Sequence, residues 1–362
     1  MTHRISRLVA LVGVIGVLVT GLPSIGESPA VHAAARVTAT RLPQNPLITL
    51  RSSASLGDNI NGPAIIRVPA WVEKPLGRYY MYFAHHMGAF VRLAYADSIA
   101  GPWKVYEPGV LPVRETAFFR PQPDPPENLE NYYTHVASPE IYIDEAERRL
   151  VLWFHGWWTK GEMWPIGESA ARAWAREHGY GQFTQSAESG DGMHFTVRPA
   201  ISKTSYLRVF PDEGSFYGMS RLGLLLRSKD PFGSFDVGAN PFRGGPYANR
   251  VRHVAVLRRD RTLYVFFTGI GDAPERVMMS TIDLTVEWND WKASPPIELL
   301  RPEAPYECPT LPNAPSAAGD VKGPVRQLRD PGIFEENGRT YLFYSICGEQ
   351  GLAAATLTFQ AP

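Results

Sequence analysis

The sequence predicts an all-β chain folded as a five-bladed β-propeller with a small helical insertion in the second blade. Three observations carry that prediction. Five short openings recur, each running from polar or small residues into an apolar stretch: Asn61-Gly62-Pro63-Ala64-Ile65-Ile66, Ser138-Pro139-Glu140-Ile141, Ser205-Tyr206-Leu207-Arg208-Val209-Phe210, Arg252-His253-Val254-Ala255-Val256 and Arg329-Asp330-Pro331-Gly332-Ile333-Phe334. An aromatic-rich run follows each of them: Tyr79 to Phe83, Leu150 to Phe154, Ser215 to Met219, Thr262 to Phe267, and Thr340 to Tyr344. A run of smaller residues then completes each unit. Repeats of about 40 to 50 residues made of short strands are the spacing of propeller blades.

Taken in chain order, the elements begin with an address. Arg4 and Arg7 precede an apolar run from Leu8 to Val19, and Ala33-Ala34-Ala35 offers a small-residue cleavage site. Residues 1–35 therefore read as an export signal, too short in its apolar part for a span of about 20 residues. The expected location is secreted or periplasmic. In the first blade, Ile65 to Val68, Tyr79 to Ala84 and Val91 to Ala96 form a meander, and Gly101-Pro102-Trp103 turns it toward an outer strand. Arg120 to Asn131, rich in Pro and Glu, reads as a connecting loop. The second unit is interrupted after Trp158. There Glu168 to His178, rich in Ala and Arg and ended by Gly179, reads as the inserted helix. The fourth unit closes on Trp288 and Trp291, and the Pro-rich stretch Ala304 to Pro324 leads into the fifth. No linker divides residues 36–362, which read as one domain. Tyr80, Phe83, Phe266 and Tyr344 are expected to pack between blades, where neighbouring sheets meet face to face.

Charge and cysteine content narrow the function classes. The chain carries 36 Lys and Arg against 36 Asp and Glu, and removing Arg4, Arg7 and Glu27 with the export signal barely changes that balance. Such neutrality supports neither nucleic acid nor an anionic membrane surface as partner, and no second long apolar stretch occurs. Cys308 and Cys347 are the two cysteines. In an exported protein they read either as a disulfide, worth roughly 3–4 kcal/mol in the chain-entropy model, or as two separate buried thiols. No CxxC, HxH or HExxH spacing occurs, so neither a catalytic metal nor another cofactor is expected.

Blade geometry sorts the candidate site residues. In a four-stranded meander the innermost strand starts at the face to which the second strand returns. Inner-strand starts, second-strand ends and connections between blades therefore share one face. This selects Asn61, His135, Ser138, Glu140, Arg208, Arg252, His253, Arg329 and Asp330 from the first group, and His85, His86, His155, Trp157, Arg221 and Glu349 from the second. The fourth-blade loop adds Asp272, Glu275 and Arg276, and the connections add Asp124, Glu127 and Glu307. Asp144, Glu145 and Asp191 fall on the opposite face. Carboxylates, Arg, His and Trp together suit a carbohydrate, whose hydroxyls meet charged groups and whose apolar face meets an aromatic ring. Glycoside hydrolysis needs two carboxyl groups, one protonated and one ionised. Asp330 is the candidate for the ionised role, and Glu307 and Glu140 are the candidates for the acid. Asn61, His86, His135, His155, Trp157, Arg208, Arg252, His253, Asp272, Glu275, Arg276 and Arg329 are the candidate substrate contacts.

Several of these segments resemble the five-bladed propeller glycosidases, the group containing glycoside hydrolase family 43 arabinanases and xylosidases and their fructosidase relatives. The likeness lies in Gly77-Arg78-Tyr79-Tyr80-Met81-Tyr82-Phe83, in Ala94-Tyr95-Ala96-Asp97-Ser98 with Gly101-Pro102-Trp103, and in Arg329-Asp330-Pro331-Gly332-Ile333-Phe334 with Gly338-Arg339-Thr340-Tyr341. It extends across roughly residues 55 to 357. The resemblance implies a general base at the first-blade opening, a pKa-tuning Asp at the second and an acidic Glu in the third. This chain departs at each: Asn61-Gly62-Pro63 replaces the first, Ser138-Pro139-Glu140 is the nearest match to the second, and nothing near Tyr206-Leu207-Arg208 matches the third. Only the fifth blade keeps Asp-Pro. The expectation is an exported glycoside hydrolase acting on a polysaccharide or oligosaccharide. The alternatives are a carbohydrate-binding propeller without catalysis and, more remotely, a polysaccharide lyase.

Overall fold

The computed structural model describes residues 36–86, 88–119, 135–158 and 181–360. The expected export signal, the loop from Arg120 to Asn131 with Asp124 and Glu127, and the inserted helix lie outside the described residues. Val37–Phe359 form one compact unit, built from five antiparallel sheets.

Blade I runs Asn61–Arg67, Tyr79–Ala84, Phe90–Ala96 and Lys104–Pro112 from the axis outward. Blade II comprises Ala137–Asp144, Arg149–Trp158, Gly181–Ser189 and Thr196–Ser202, and blade III Arg208–Asp212, Ser215–Met219, Leu225–Ser228 and Asp236–Val237. Blade IV comprises Val251–Arg259, Thr262–Gly269, Val277–Asp283 and Ile297–Leu300. Blade V contributes Arg329–Glu336, Arg339–Ile346 and Gly351–Gln360, and its outermost strand is the N-terminal segment Arg36–Arg41. The ring is thus closed by pairing the two ends of the chain, a contact the sequence reading did not anticipate. Among the described residues the remaining helical elements are short 3-10 turns.

The second strands explain why the blades stand face to face. Side chains alternate across a strand, and here both faces are apolar. Tyr79, Met81 and Phe83 pack toward blade V, whereas Tyr80 and Tyr82 pack toward blade II. Likewise Leu150, Leu152 and Phe154 face blade I while Val151 and Trp153 face blade III. Phe266 and Tyr344 join the core between blades IV and V, and Phe267 that between III and IV. Each of the five junctions therefore has its own hydrophobic core, and the expected inter-blade roles of Tyr80, Phe83, Phe266 and Tyr344 hold.

Two covalent and ionic ties secure the last junction. Cys308 and Cys347 form a disulfide, joining the loop before blade V to its second strand. Nearby, Glu307 is fully buried and accepts from Arg41 Nε and Nη2 at 2.8 Å each, from the Tyr344 hydroxyl at 2.9 Å, and from the Glu303 and Ala304 amides at 2.9 Å. Its carboxylate clamps the N-terminal closing strand to the blade IV–V connection.

Candidate functional site at the mouth of the propeller

The inner strands share a local distortion that builds the site. In blades I, II, IV and V the register between first and second strand slips after the opening residue, as at Asn61/Ala64, Ala137/Glu140, Val251/Val254 and Arg329/Gly332. Aligned on the next paired residue, the distorted position is Gly62, Ser138, Tyr206, Arg252 and Asp330. Four of these are left-handed, with φ of 63° at Gly62, 46° at Ser138, 59° at Tyr206 and 49° at Asp330. A non-glycine residue held there costs on the order of 1–2 kcal/mol. A bulge also re-aims its side chain. Close packing around the axis sets a second constraint: a Cβ on Gly332 would collide with the Pro63 carbonyl oxygen of blade I.

Around this level, blades IV, V and I bring seven polar residues into one buried network. Glu349, at the end of the second strand of blade V, accepts from Arg329 Nη1 at 2.9 Å and from Asn59 Nδ2. Its other contacts are His86 Nδ1 at 2.6 Å and Asn61 Nδ2 at 3.4 Å. Burial opposes its ionisation, but His86 and Arg329 outweigh it and hold the carboxyl far below the usual range. Glu275 accepts from Arg252 Nε at 2.7 Å and lies 3.4 Å from Arg329 Nε. Because Glu275 and Glu349 touch one guanidinium, their carboxylates are separated by roughly 9 Å or less, a spacing that carboxylate-pair chemistry uses. Arg252 and Arg329 also donate to the Gly319 carbonyl, at 3.1 and 3.3 Å, tying the Pro-rich loop to the mouth.

Asp330 is 2% exposed, in ion-pair contact with His253 Nδ1, and accepts from the Ser345 hydroxyl at 3.1 Å. Burial alone would raise its pKa; His253 reverses this and the net shift is downward. Glu349 and Asp330 feel each other's charge. From His253 a column of rings leads across the mouth. The Tyr206 ring lies tilted, 4.3 Å from that of His253 and 4.2 Å from that of His155, and the His135 ring lies edge-on 5.8 Å from His155. Burial lowers the pKa of His253 and, further, that of His155, and raises that of Tyr206. Burial thus disfavours charge on His155 and His253 and keeps the Tyr206 phenol protonated.

Deeper in the axis Arg208 links three blades, donating to Val254 O at 3.1 Å, to Pro139 O and to Glu140 Oε2 at 3.0 Å. Burial raises the pKa of Glu140 despite this partner.

The structure thus gathers Asp330, Arg329, Arg252, His253, Glu275, Asn61 and His86, with His135 and His155 joined through Tyr206, and Arg208 with Glu140 below them. Trp157 sits half-buried at the end of its strand. Three candidates stand apart. Glu307 is saturated by the closing strand. Asp272 is held by the Tyr247 hydroxyl at 2.8 Å and Arg250 at 2.9 Å, and Arg276 turns outward to Glu298 at 2.9 Å. Asp191, assigned to the opposite face, accepts from the Met193 and His194 amides at 2.8 Å, as a turn-capping residue does. Glu349 was selected by the blade geometry but left out of the site, and Tyr206, Asn59 and Ser345 were missed. Tyr206 had a signal: it occupies the same place before its inner strand as Ser138 and Asp330.

Among the described residues, no group of three or more His, Cys, Asp or Glu is arranged to hold a metal ion. No protein-family model matches the chain. An uncharacterized protein of Acanthamoeba polyphaga mimivirus is 32% identical over 341 residues, spanning 88% of this chain and 89% of the viral protein. The chain belongs to the family of that viral protein. Among solved structures, an α-L-arabinofuranosidase from Lactobacillus brevis is similar with a TM-score of 0.53 at 11% identity, covering 87% of this chain and 92% of that one. A GH43_1 enzyme from Xanthomonas citri, complexed with xylotriose, has a TM-score of 0.52 at 12% identity over 91% of this chain and 90% of its own. A structure described for the GH130 family of mannoside phosphorylases and glycoside hydrolases matches at 0.52 and 14%, over 88% and 93%. This chain therefore has the five-bladed propeller fold found in GH43 and GH130 glycoside hydrolases.

Proposed function

We propose that the protein is an exported glycoside hydrolase that cleaves a polysaccharide or oligosaccharide at the mouth of the propeller. Asp330 is the ionised carboxylate, acting as base or nucleophile, and Glu140 is the acid. One observation carries the reading: a buried carboxylate is kept ionised by His253 and Ser345 at a left-handed position on an innermost strand. Backbone strain of this kind persists where surrounding structure enforces it, often at functional sites. Glu140 supports the pairing because its shift is opposite in sign, the divergence that separates acid from base. Arg208 connects it to Val254, the neighbour of His253. The similarity to glycosidase folds and to a structure complexed with xylotriose favours a glycan as substrate, and the export signal read over residues 1–35 supports an activity outside the cytoplasm.

A second reading has its own support. Glu275 and Glu349 are already engaged by Arg252, Arg329 and His86, an arrangement that suits a rigid binding surface without cleavage. Product analysis separates the two. Wild-type protein, Asp330→Asn and Glu140→Gln are incubated with a broad glycan panel, and products are measured by mass spectrometry. Release by the wild type that falls about 100-fold or more in both variants is expected. Undiminished release by Asp330→Asn moves the base elsewhere. Binding without release by the wild type supports the second reading.

A further inference from the structure

The two sides of the mouth differ in how their polar groups are satisfied. Toward blades IV, V and I, the charged groups bond one another: Glu275 with Arg252, and Glu349 with Arg329 and His86. Toward blades II and III, donors are left over. Arg221 opens a 3-10 turn, Arg221–Gly223, that packs against the inner strand of blade IV. Its amide donates to Ser205 O at 3.1 Å, one residue before Tyr206, so the side chain starts at the rim of the ring column. The residue is half-buried, and its guanidinium has no hydrogen-bond or ion-pair partner among the described residues. The same holds for the Tyr206 hydroxyl, and His155 Nδ1 is buried without a partner. The Arg221 charge acts on both Tyr206 and His155, which places it on their side of the mouth. Burial keeps the phenol protonated, hence a donor.

A guanidinium offers five N–H groups in a fixed fork that matches two oxygens of an anion. Arg221, beside a buried phenol, therefore has N–H donors free to meet a ligand. The acidic groups that reach Tyr206, Asp330 and Glu349, are already held by His253 and by Arg329 with His86, and neither contacts Arg221.

We propose that Arg221 and Tyr206 form a subsite for an anionic substituent of the glycan, a uronate carboxylate or a sulfate ester. The inference rests on the carbohydrate reading above and narrows it to acidic glycans. Arg221 grips two oxygens of the anion, the Tyr206 hydroxyl donates to one of them, and the neighbouring rings of His155 and His253 fix the phenol in place.

The test uses matched probes and the full protein. Oligogalacturonides and glucuronoxylan oligosaccharides are compared with their carboxyl-reduced forms, and sulfated galactan oligosaccharides with their desulfated forms, by calorimetry at low and high salt. The readout is the ratio of affinities within each pair. A ratio of about tenfold or more in favour of one acidic class is expected for the wild type, falling with salt. Which pair shows it identifies the anion. Arg221→Gln should bring the ratio near one, Arg221→Lys should retain part of it, and Tyr206→Phe should lower it several-fold. Should Arg221→Gln fail to fold, as judged by its thermal transition, Tyr206→Phe carries the test. A wild-type ratio near one with measurable neutral binding overturns this inference and leaves the carbohydrate reading standing. An unchanged ratio in the variants also overturns it. Binding of no probe of either kind overturns both.

Discussion

Replacing Arg329 by Met removes the cation on which two buried carboxylates depend. Arg329 is 1% exposed and meets Glu349 Oε1 at 2.9 Å, Glu275 Oε2 at 3.4 Å, Gln327 Oε1 at 2.9 Å and Gly319 O at 3.3 Å. Methionine fills much of the same volume, so the perturbation is chiefly electrostatic. Burial disfavours the guanidinium, but Glu275 and Glu349 more than compensate, and its pKa is raised. Stripping one partner from a buried ion pair costs about 3–5 kcal/mol. Arg252 and His86 remain to hold the two carboxylates, so the lower end is expected. With an unfolding entropy of about 2 cal/mol/K per residue, that loss lowers the melting temperature by roughly 4–7 °C in a unit of this size. Calorimetry on the wild type, Arg329→Met, Glu349→Gln and the double variant closes the cycle. The double variant should be less destabilised than the sum of the singles by about 1–3 kcal/mol. Additive losses, or a shift below about 1 °C for Arg329→Met, would refute the view that this chain of ion pairs organises the mouth.

Three further outcomes follow from the contacts at the mouth and at the closing strand. His155 and His253 have folded pKa values below the unfolded value of about 6.5; both states are neutral above it, and as pH falls the unfolded state takes up the protons first. Stability should therefore decline below about pH 6.5 by up to about 1.4 kcal/mol per pH unit for each histidine, and His155→Asn should flatten that slope in urea titrations across pH 5 to 7. Asp330 and Glu349, whose pKa values are lowered, add stability present above about pH 4 that is lost as pH falls further. Glu307→Gln should weaken the grip on Arg41 by about 1–3 kcal/mol, discounted because Arg41 is partly solvated, and should expose the Arg36–Arg41 strand to protease before the rest of the unit unfolds.

The blades were legible because their second strands are buried on both faces, which writes an unbroken apolar run such as Tyr79–Ala84 or Leu263–Phe267. The closing strand was not legible. Arg36–Arg41 alternates exposed Arg and Thr with a single buried Val37, a weak pattern on an outer edge, and it sits some three hundred residues from the strand it joins. The face rule worked for Glu349, Asn61 and His253 because it depends only on strand direction. It failed for Glu307, since sharing a face does not fix the radius: a residue in a between-blade connection can end at the rim, where Arg41 and Tyr344 claim it. Asp272 and Arg276 failed for the same reason. For Tyr206 the only signal is its place before the inner strand, because its importance comes from backbone conformation, which residue type announces mainly at Gly, Asn or Asp.

The inner-strand distortion also bears on where chemistry can reside in this ring. Ser138, Tyr206 and Asp330 share the left-handed backbone at this position, so they are alternatives for carrying a reactive group. The resemblance to family 43 places its base at the first-blade opening, where this chain has Asn61 followed by Gly62. A Cβ on Gly62 would make only ordinary van der Waals contact with Ser138 Cα at 3.4 Å, but its φ of 63° favours glycine, and Asn61 turns instead to His86 and Glu349. In blade V the equivalent position holds Asp330, with Gly332 two residues on taking over the close approach, against Pro63. Packing and chemistry thus occupy different residues of the opening in blade V, Gly332 and Asp330, whereas blade I has no side chain at its bulge. On the proposed reading, that is the physical reason a carboxylate works from the fifth blade: its inner strand can carry a side chain at the bulge without losing contact with its neighbour.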